Sequence, residues 1–425
     1  MTTAAQNTVR AAPFSTANPH ALATILEASE TKSIIASRDI FDISGTKLWA
    51  RDQPVSGALQ RKLLDRQLRN PLETCLMAED GVTVQTLRQG AEALVESDTP
   101  LATLLRPHAA RVLQQLPHLP LHSVAQLLLT AGQASRPASF DHAVQAMLMA
   151  GALMIEKAGA TADVRLAMLA GLLHDLGEMY IDPHCGEADA DRALDFESYK
   201  HLVVHPHVGQ LLITQLTNYP ATVARAIAEH HERLDGTGYP HALQREALSP
   251  LGRLLAVTEA AQAVLRGERG QLARASIALR VVPGEFDLGW VGLIADTARG
   301  QPALSAQLGA GEVQLRLGRL DAALQAAHDG AQALAVGAET AAFKDTLALT
   351  QHLLSRLRIG WNASGLWSTE AVRAQDAAEV EAVEDELFFR LHAIARAAQL
   401  RAGTLPKADA DRLGLLCNVL VAIER

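Results

Sequence analysis

Histidine and carboxylate side chains recur between residues 142 and 259 and constrain this chain more than any other feature. The set contains five histidines and two acids: His142, His174, Asp175, His205, His230, His231 and Glu259. Most of them lie within or at the end of segments with a helical pattern, so distant residues can converge in one bundle core, where metal sites are commonly built. Imidazole and carboxylate together suit Fe, Mn, Zn or Ni better than Ca or Mg. The pattern predicts a site for more than one metal ion inside a helical bundle.

A second signature, residues 230–240, places two adjacent histidines before a glycine-rich turn. Successive helical residues point about 100° apart, so the two imidazoles can serve two different ions. Gly236 and Gly238 permit backbone conformations that other residues avoid, and Pro240 stiffens the exit of the turn. Taken alone, this segment is equally compatible with an ordinary tight turn between helices.

The His174-Asp175 pair and the second signature together resemble the HD-GYP subgroup of the HD-domain phosphohydrolases, over roughly residues 125 to 295. A His-Pro-x-x-Gly sequence at residues 205–209 strengthens the resemblance. The resemblance implies a helical HD domain that holds two or three metals, usually iron or manganese, and hydrolyses the bacterial second messenger cyclic di-GMP. The metal ligands that it implies, with Asp175 bridging, are His142, His174, Asp175, His205, His230 and His231, to which we add Glu259.

The implied chemistry is hydrolysis by a metal-activated water. Metals held close together lower the pKa of a shared water and clamp the attacking and leaving oxygens of a phosphodiester. No nucleophilic side chain is then needed, and the sequence has no Gly-x-Ser-x-Gly elbow, Walker loop or dinucleotide-binding glycine fingerprint. We expect catalysis from His174, Asp175 and Glu178. Substrate contacts are expected from the second signature, at Arg233, Asp235, Gly236, Gly238, Tyr239 and Pro240.

Two departures from the family pattern change the charge around the site. Glu178 stands where the family usually has the lysine of His-Asp-x-x-Lys, so a carboxylate replaces an ammonium that would face a substrate phosphate. That exchange is unfavourable unless the carboxylate binds a metal, is protonated or turns away. Residues 181–199 are also acidic, with Arg192 as their only fixed cation. A dinucleotide with two phosphates favours the opposite sign.

A third departure lies downstream, where Glu259 occupies the position of the usual family aspartate. The Arg-Pro-Tyr-Arg stretch that normally follows is absent, and Arg266 and Arg269 are the nearest candidates to replace it. Some relatives hold a third ion through a glutamate one turn before the first histidine, and Ala138 occupies that position here. We therefore expect two divalent metal ions, Fe or Mn.

Composition agrees with a helical, cytoplasmic protein. Hydrophobic residues make up 48% of the chain but aromatic residues only 4%, an Ala/Leu-rich balance that favours helices. The net charge of −9 argues against binding duplex nucleic acid. Three cysteines without paired spacing argue against a disulfide framework, and neither a signal peptide nor a membrane span is expected.

The pattern along the chain predicts a mainly α protein of three regions. Residues 1–125 form a regulatory or dimerising region with a loose leader to about residue 30, a small α/β element with strands at 39–43 and 46–50, and a helix capped by Ser56 that runs to Arg69. Residues 126–298 form the HD-GYP-like domain. Residues 299–425 form a C-terminal helical extension, for which a capping or dimerising bundle is preferred to a tetratricopeptide array because only one repeat-like copy is present.

Two functions remain open at this point. The first is a phosphodiesterase acting on cyclic di-GMP or a related phosphoester. The second is a weakened or inactive signalling module that keeps the metal cage and binds a protein partner through the glycine-rich loop or the C-terminal helices; a homodimer is also open. Glu178 in a cleft without a compensating arginine favours the second function, whereas Arg233, Arg266 or Arg269 lining the cleft favours the first.

Overall fold

The computed structural model describes residues 13–186, 195–267, 269–366, 368 and 377–421. Its secondary structure is mainly α-helical, with short strands only near the N-terminus, as expected. The four strands are β1 (Ile34–Ala36), β2 (Ile40–Phe41), β3 (Lys47–Trp49) and β4 (Leu76–Ala78). The helices before the metal-ligand segment are α1 (Pro19–Ala28), α2 (Gly57–Leu63), α3 (Val84–Glu96), α4 (Pro100–Leu105), α5 (Ala109–Gln115) and α6 (Ser123–Ser135).

The central helices carry the predicted ligands. They are α7 (Pro137–Glu156), α8 (Thr161–Leu173), α9 (Phe196–Leu202), α10 (His205–Leu216), α11 (Ala221–Glu229), α12 (Pro250–Arg266), α13 (Leu272–Ala278) and α14 (Leu288–Arg299). The C-terminal helices are α15 (Ala310–Val336), α16 (Ala341–Ser364), α17 (Ala377–Ala402) and α18 (Lys407–Val421). Short 3₁₀ turns join several of them, among which Leu176–Tyr180 directly follows the His-Asp pair.

Two expectations for the N-terminal region are wrong. Residues 19–28 are a helix rather than part of a loose leader, because the Asn18 side chain caps α1 and Leu22 and Ile25 are buried. The helix that follows Ser56 ends at Leu63 instead of Arg69, and the Ser56 side chain makes no capping hydrogen bond. The residues after Leu63 bond outside the helix: the backbone N–H of Leu68 donates to the carbonyl of Ser15. The expected strand pair is confirmed as the antiparallel β2–β3 ribbon, while β1 pairs with β4.

Buried apolar residues form two main cores. The first extends from α1 to α14, so the N-terminal region and the ligand-bearing helices share one hydrophobic interior. The second joins α15 to α18 with Val282. Among the described residues, α7 alone is long and apolar enough to cross a membrane, but 72% of its apolar window is buried inside the fold, as in a core helix. The limits of the three predicted regions stay a prediction.

Close backbone approach at two glycines positions the ligand helices. A Cβ at Gly171 of α8 would lie 2.6 Å from the carbonyl oxygen of Ala146 in α7. A Cβ at Gly177 would lie 2.0 Å from the carbonyl oxygen of His205, at the start of α10. Only glycine allows this spacing, which draws α7, α8 and α10 together around the histidines.

Candidate metal centre

The seven predicted ligands come from five helices and converge in one buried cluster. His142 lies in α7, the His174-Asp175 pair ends α8, His205 begins α10, the His230-His231 pair follows α11, and Glu259 lies midway along α12. The five imidazoles and the Glu259 carboxylate are each at most 5% exposed. The structure therefore brings all seven residues together.

Three of the histidines are oriented in the same way. The Nδ1 atoms of His174, His205 and His230 contact the carbonyl oxygens of Gly171, Leu202 and Ile227, three residues earlier, at 2.8, 2.7 and 2.6 Å. Donation of the Nδ1 proton to a carbonyl leaves the Nε2 lone pair facing the centre, which is the usual orientation of a metal-binding histidine. The local helix-end geometry thus prepares three imidazoles as ligands.

Nitrogen atoms approach each other in pairs at the centre. The Nε2 atoms of His205 and His230 are 3.0 Å apart, and those of His142 and His174 are 3.1 Å apart. When both Nδ1 atoms carry the proton, as in the first pair, two lone pairs face each other. That contact is favourable only with a cation between the rings, so the donor set fits a metal ion.

Asp175 lies between the two pairs. Its Oδ1 atom is 3.4 and 3.3 Å from the Nε2 atoms of His205 and His230, and its Oδ2 atom is 3.1 and 3.0 Å from those of His142 and His174. None of these contacts has hydrogen-bond geometry. Each oxygen therefore faces a separate pair of imidazoles, which is the placement required of a bridging carboxylate.

Two groups of four residues result, and both include Asp175. The first adds His205, His230 and His231, and the second adds His142, His174 and Glu259; within each group the ligand atoms lie within 4.8 Å of one another. The number and chemistry of these donors fit a dinuclear site for nitrogen- and oxygen-binding divalent metals.

The electrostatics favour the ligand forms of His230, His231 and Asp175. Burial, aided by His231, lowers the pKa of His230 to about 3, and burial together with His205 holds the pKa of His231 well below its usual value. Burial alone would raise the pKa of Asp175, but the adjacent His174 holds it well below the usual range. At neutral pH this part of the centre offers neutral imidazoles and an ionised carboxylate, the forms that bind metals. At two other histidines, although burial opposes protonation, Glu259 raises the pKa of His142 and Asp175 raises the pKa of His174 well above its usual value.

Arg266 lies against the second group. Its guanidinium donates to Oε1 of Glu259 at 3.2 Å and to Nδ1 of His142. Although burial opposes ionisation, His142 and Arg266 hold the pKa of Glu259 well below its usual value. Arg266, expected from the sequence to replace the missing arginine-rich stretch, therefore lies at the centre itself.

The glycine-rich loop folds over His231. Gly236 has a φ of +81°, and a Cβ at Gly238 would lie 2.4 Å from the carbonyl oxygen of His231. Tyr239 stacks on the His231 ring with centroids 4.5 Å apart, and the Tyr239–Pro240 peptide is cis. Glu232 was not among the predicted site residues; its buried carboxylate accepts hydrogen bonds from the backbone N–H groups of residues 241 and 243 at 2.7 and 2.9 Å.

A cleft of about 780 Å³ opens beside the centre, between the ligand-bearing helices and the C-terminal helices. His231 and Glu259 lie at its inner end. Of the expected substrate contacts, the cleft is lined by Arg233, Gly236, Gly238, Tyr239 and Pro240, and the downstream arginines Arg266 and Arg269 line it as well.

Asp235 and Glu178 do not line this cleft. Asp235 turns toward α16, where Arg356 Nε donates to its Oδ2 at 3.0 Å and His352 contacts its carbonyl at 2.7 Å. Glu178 is 3% exposed and lines a separate cavity of about 40 Å³ with Asp175 and Arg136. Of the acidic segment that precedes α9, Glu187, Asp189, Asp191 and Arg192 lie outside the described residues.

Comparison with known proteins agrees with this geometry. Residues 132–282 match the family model described as HD domain. The cyclic di-GMP phosphodiesterase PA4108 of Pseudomonas aeruginosa is 29% identical over 214 residues, which are 50% of this chain and 49% of that protein. The cyclic di-GMP phosphodiesterase response regulator RpfG of Xanthomonas campestris is 34% identical over 104 residues, 24% of this chain and 27% of that protein. Residues 132–282 of this chain are an HD domain.

The relatives differ in the substrate that their names state. The 3'3'-cGAMP-specific phosphodiesterase 3 of Vibrio cholerae is 26% identical over 45% of this chain and 44% of that protein. The chain thus spans about half the length of the curated relatives it matches. A solved structure, Bd1817, an HD-GYP-type protein from Bdellovibrio bacteriovorus, is 16% identical with a TM-score of 0.36, covering 64% of this chain and 98% of that one.

Proposed function

We propose that this protein is a metal-dependent phosphodiesterase that hydrolyses cyclic di-GMP or a closely related cyclic dinucleotide. The observation that carries the proposal is Asp175, whose two oxygens each face one pair of imidazoles at 3.0–3.4 Å. This arrangement suits two adjacent divalent ions, which we propose to be Fe or Mn, held by the seven clustered residues. Bound there, two such ions would activate a water and stabilise the charge on a phosphodiester.

The cleft supports a substrate with phosphate groups. Its volume of about 780 Å³ lies within the range of small-molecule sites, about 300–1,000 Å³. Arg233, Arg266 and Arg269 all line it, whereas Glu178 lies in a different cavity. The Glu178 carboxylate therefore lies outside the cleft, and the three arginines of the enzyme hypothesis line it together with the carboxylates of Glu259, Glu285, Asp385 and Glu386.

The side chains have distinct proposed roles. The glycine-rich loop forms one wall, with Tyr239 orienting His231 by stacking on its ring. Arg266 holds Glu259 ionised and positioned. For Glu178 we propose a supporting role beside Asp175, because both line the small cavity that also contains Arg136.

The alternative is a signalling module that binds its ligand without turnover. Its support is that Glu178, in the position of the family lysine, is buried beside Asp175 and supplies no cation. A protein partner or a homodimer belongs to either function. We also propose a cytoplasmic location, since all three cysteines are buried and unbonded, as in a reducing compartment.

Hydrolysis assays on anaerobically purified protein distinguish the two functions. The protein is reconstituted with Fe(II) or Mn(II) and incubated with cyclic di-GMP and with 3'3'-cGAMP, and linear products are separated by chromatography. The phosphodiesterase proposal predicts linear product from at least one of them and its loss in His174→Ala. Metal-loaded protein that binds a dinucleotide without cleaving either would support the signalling module instead.

A further inference from the structure

One arginine that lines the cleft, Arg396, comes from outside the HD domain. Arg396 belongs to α17, and its guanidinium lies over the rings of Tyr199 and Phe389, 5.7 and 5.9 Å from their centroids. Its Nε atom is buried and has no hydrogen-bond partner among the described residues. A buried cationic donor of this kind is costly unless an anion or acceptor joins it.

The other partly buried arginines of the cleft already have carboxylate partners. Their ion pairs are Arg233 with Glu285, Arg266 with Glu259, Arg269 with Glu381, Arg274 with Asp385 and Arg390 with Glu285. Within the part of the chain that the structure describes, Arg396 has no carboxylate within 4.0 Å. Its positive charge is therefore available to a ligand, whereas the charges of the other five are largely compensated.

A series of aromatic contacts joins Arg396 to the metal centre. Arg396 lies over Tyr199, the Tyr199 and Tyr239 rings are 5.9 Å apart, and Tyr239 stacks on His231. All four side chains line the same cleft. A ligand that reaches His231 can therefore also reach α17.

We propose that Arg396 binds a phosphate group of the nucleotide substrate from the C-terminal side of the cleft. The inference rests on the proposed function and extends it, because it assigns substrate binding to a helix outside the HD domain. A guanidinium can present two parallel donors to a phosphate, which an ammonium cannot. Arg396 would thus supply the substrate with a cation, which this chain lacks at position 178 because Glu178 replaces the family lysine.

The test compares Arg396→Gln with Arg319→Gln. Arg319 lies in α15, is exposed and does not line the cleft, so the control removes the same charge from the C-terminal helices. Metal-loaded proteins are titrated with GMP by calorimetry, and KM and kcat are measured for cyclic di-GMP. Loss of a charge-assisted pair should weaken GMP binding and raise KM by about tenfold to a hundredfold. The kcat of Arg396→Gln and both properties of Arg319→Gln should change little.

A second variant separates ligand binding from packing on Tyr199. Arg396→Lys keeps a cation over the ring but loses the two parallel donors, so GMP affinity should fall by several-fold while the thermal unfolding midpoint stays near that of the wild type. Unchanged GMP affinity in both Arg396 variants would overturn the inference, even if the wild type cleaves cyclic di-GMP.

The proposed function and the Arg396 phosphate site can fail independently of each other. If the wild type cleaves neither dinucleotide yet binds GMP in an Arg396-dependent way, the phosphodiesterase assignment is lost and the phosphate site stands. If the wild type cleaves a dinucleotide but binds no GMP, an unchanged KM in Arg396→Gln overturns the inference alone. Absence of both turnover and GMP binding would overturn both.

Discussion

Replacing Arg356 with methionine removes the guanidinium that joins α16 to the glycine-rich loop of the metal centre. Arg356 donates to the Asp235 carboxylate at 3.0 Å and to the carbonyl of Pro283. The Asp235 side chain is 5% exposed, so its Oδ2 atom would lose a charge-assisted bond in a place that water barely reaches. Methionine keeps most of the apolar stem. We expect a loss of about 2 kcal/mol in the free energy of unfolding.

The substitution should also disturb the cluster, because the loop that begins at Asp235 holds Tyr239 against His231. Urea unfolding gives the stability, and KM and kcat for cyclic di-GMP report on the loop. Arg358→Met is the matched control: Arg358 lies two residues along the same helix and pairs at 2.5 Å with Asp321, with 35% and 45% of the side chains exposed. Such a pair contributes about 0.2–1 kcal/mol. Equal losses of stability and turnover in the two variants would refute the reasoning.

Three further predictions concern the centre itself. Gly177→Ala places a Cβ 2.0 Å from the carbonyl oxygen of His205, so it should displace that ligand and greatly reduce bound metal, measured by mass spectrometry; normal metal content would contradict the packing. Asp175→Asn keeps the size of the bridge but removes its charge, so metal affinity should fall by at least tenfold to a hundredfold, and an unchanged titration would exclude bridging. In metal-free protein the pKa of His230 is lowered to about 3, mainly by burial and then by His231. Its neutral ring therefore stabilises the fold above its unfolded pKa of about 6.5 and loses that contribution as the pH falls toward 3; the stability advantage of wild type over His230→Gln should shrink by about 2 kcal/mol from pH 7 to pH 5, and a constant advantage would contradict the shift.

The clustering of the seven residues could be predicted from the sequence because several of them have local signatures. The His174-Asp175 pair and the His230-His231 pair each end a helix, and that position sends the side chains into the bundle core. Helical periodicity likewise predicts helices over residues 311–334 and 340–357, and the structure has α15 over Ala310–Val336 and α16 over Ala341–Ser364.

The C-terminal wall of the cleft could not be predicted in this way. Arg356 and Asp235 are 121 residues apart, and Arg390 and Glu285 are 105 apart. Such pairs depend on how two helical cores pack, and arginines on an amphipathic helix have the same local pattern whether they face solvent or a cleft. The orientation of the Glu178 side chain could not be predicted either, because it depends on the 3₁₀ turn after Asp175 and not on the residue type.

Turnover of cyclic di-GMP against the amount of metal bound per chain tests the dinuclear centre most directly. Metal-free protein is titrated anaerobically with Mn(II) or Fe(II), and bound metal and linear product are measured on the same samples. Because the two groups of ligands share Asp175, we expect activity to rise mainly with the second equivalent of metal and to be complete at two ions per chain. Full activity at one ion per chain, or no turnover at two, would contradict a dinuclear phosphodiesterase.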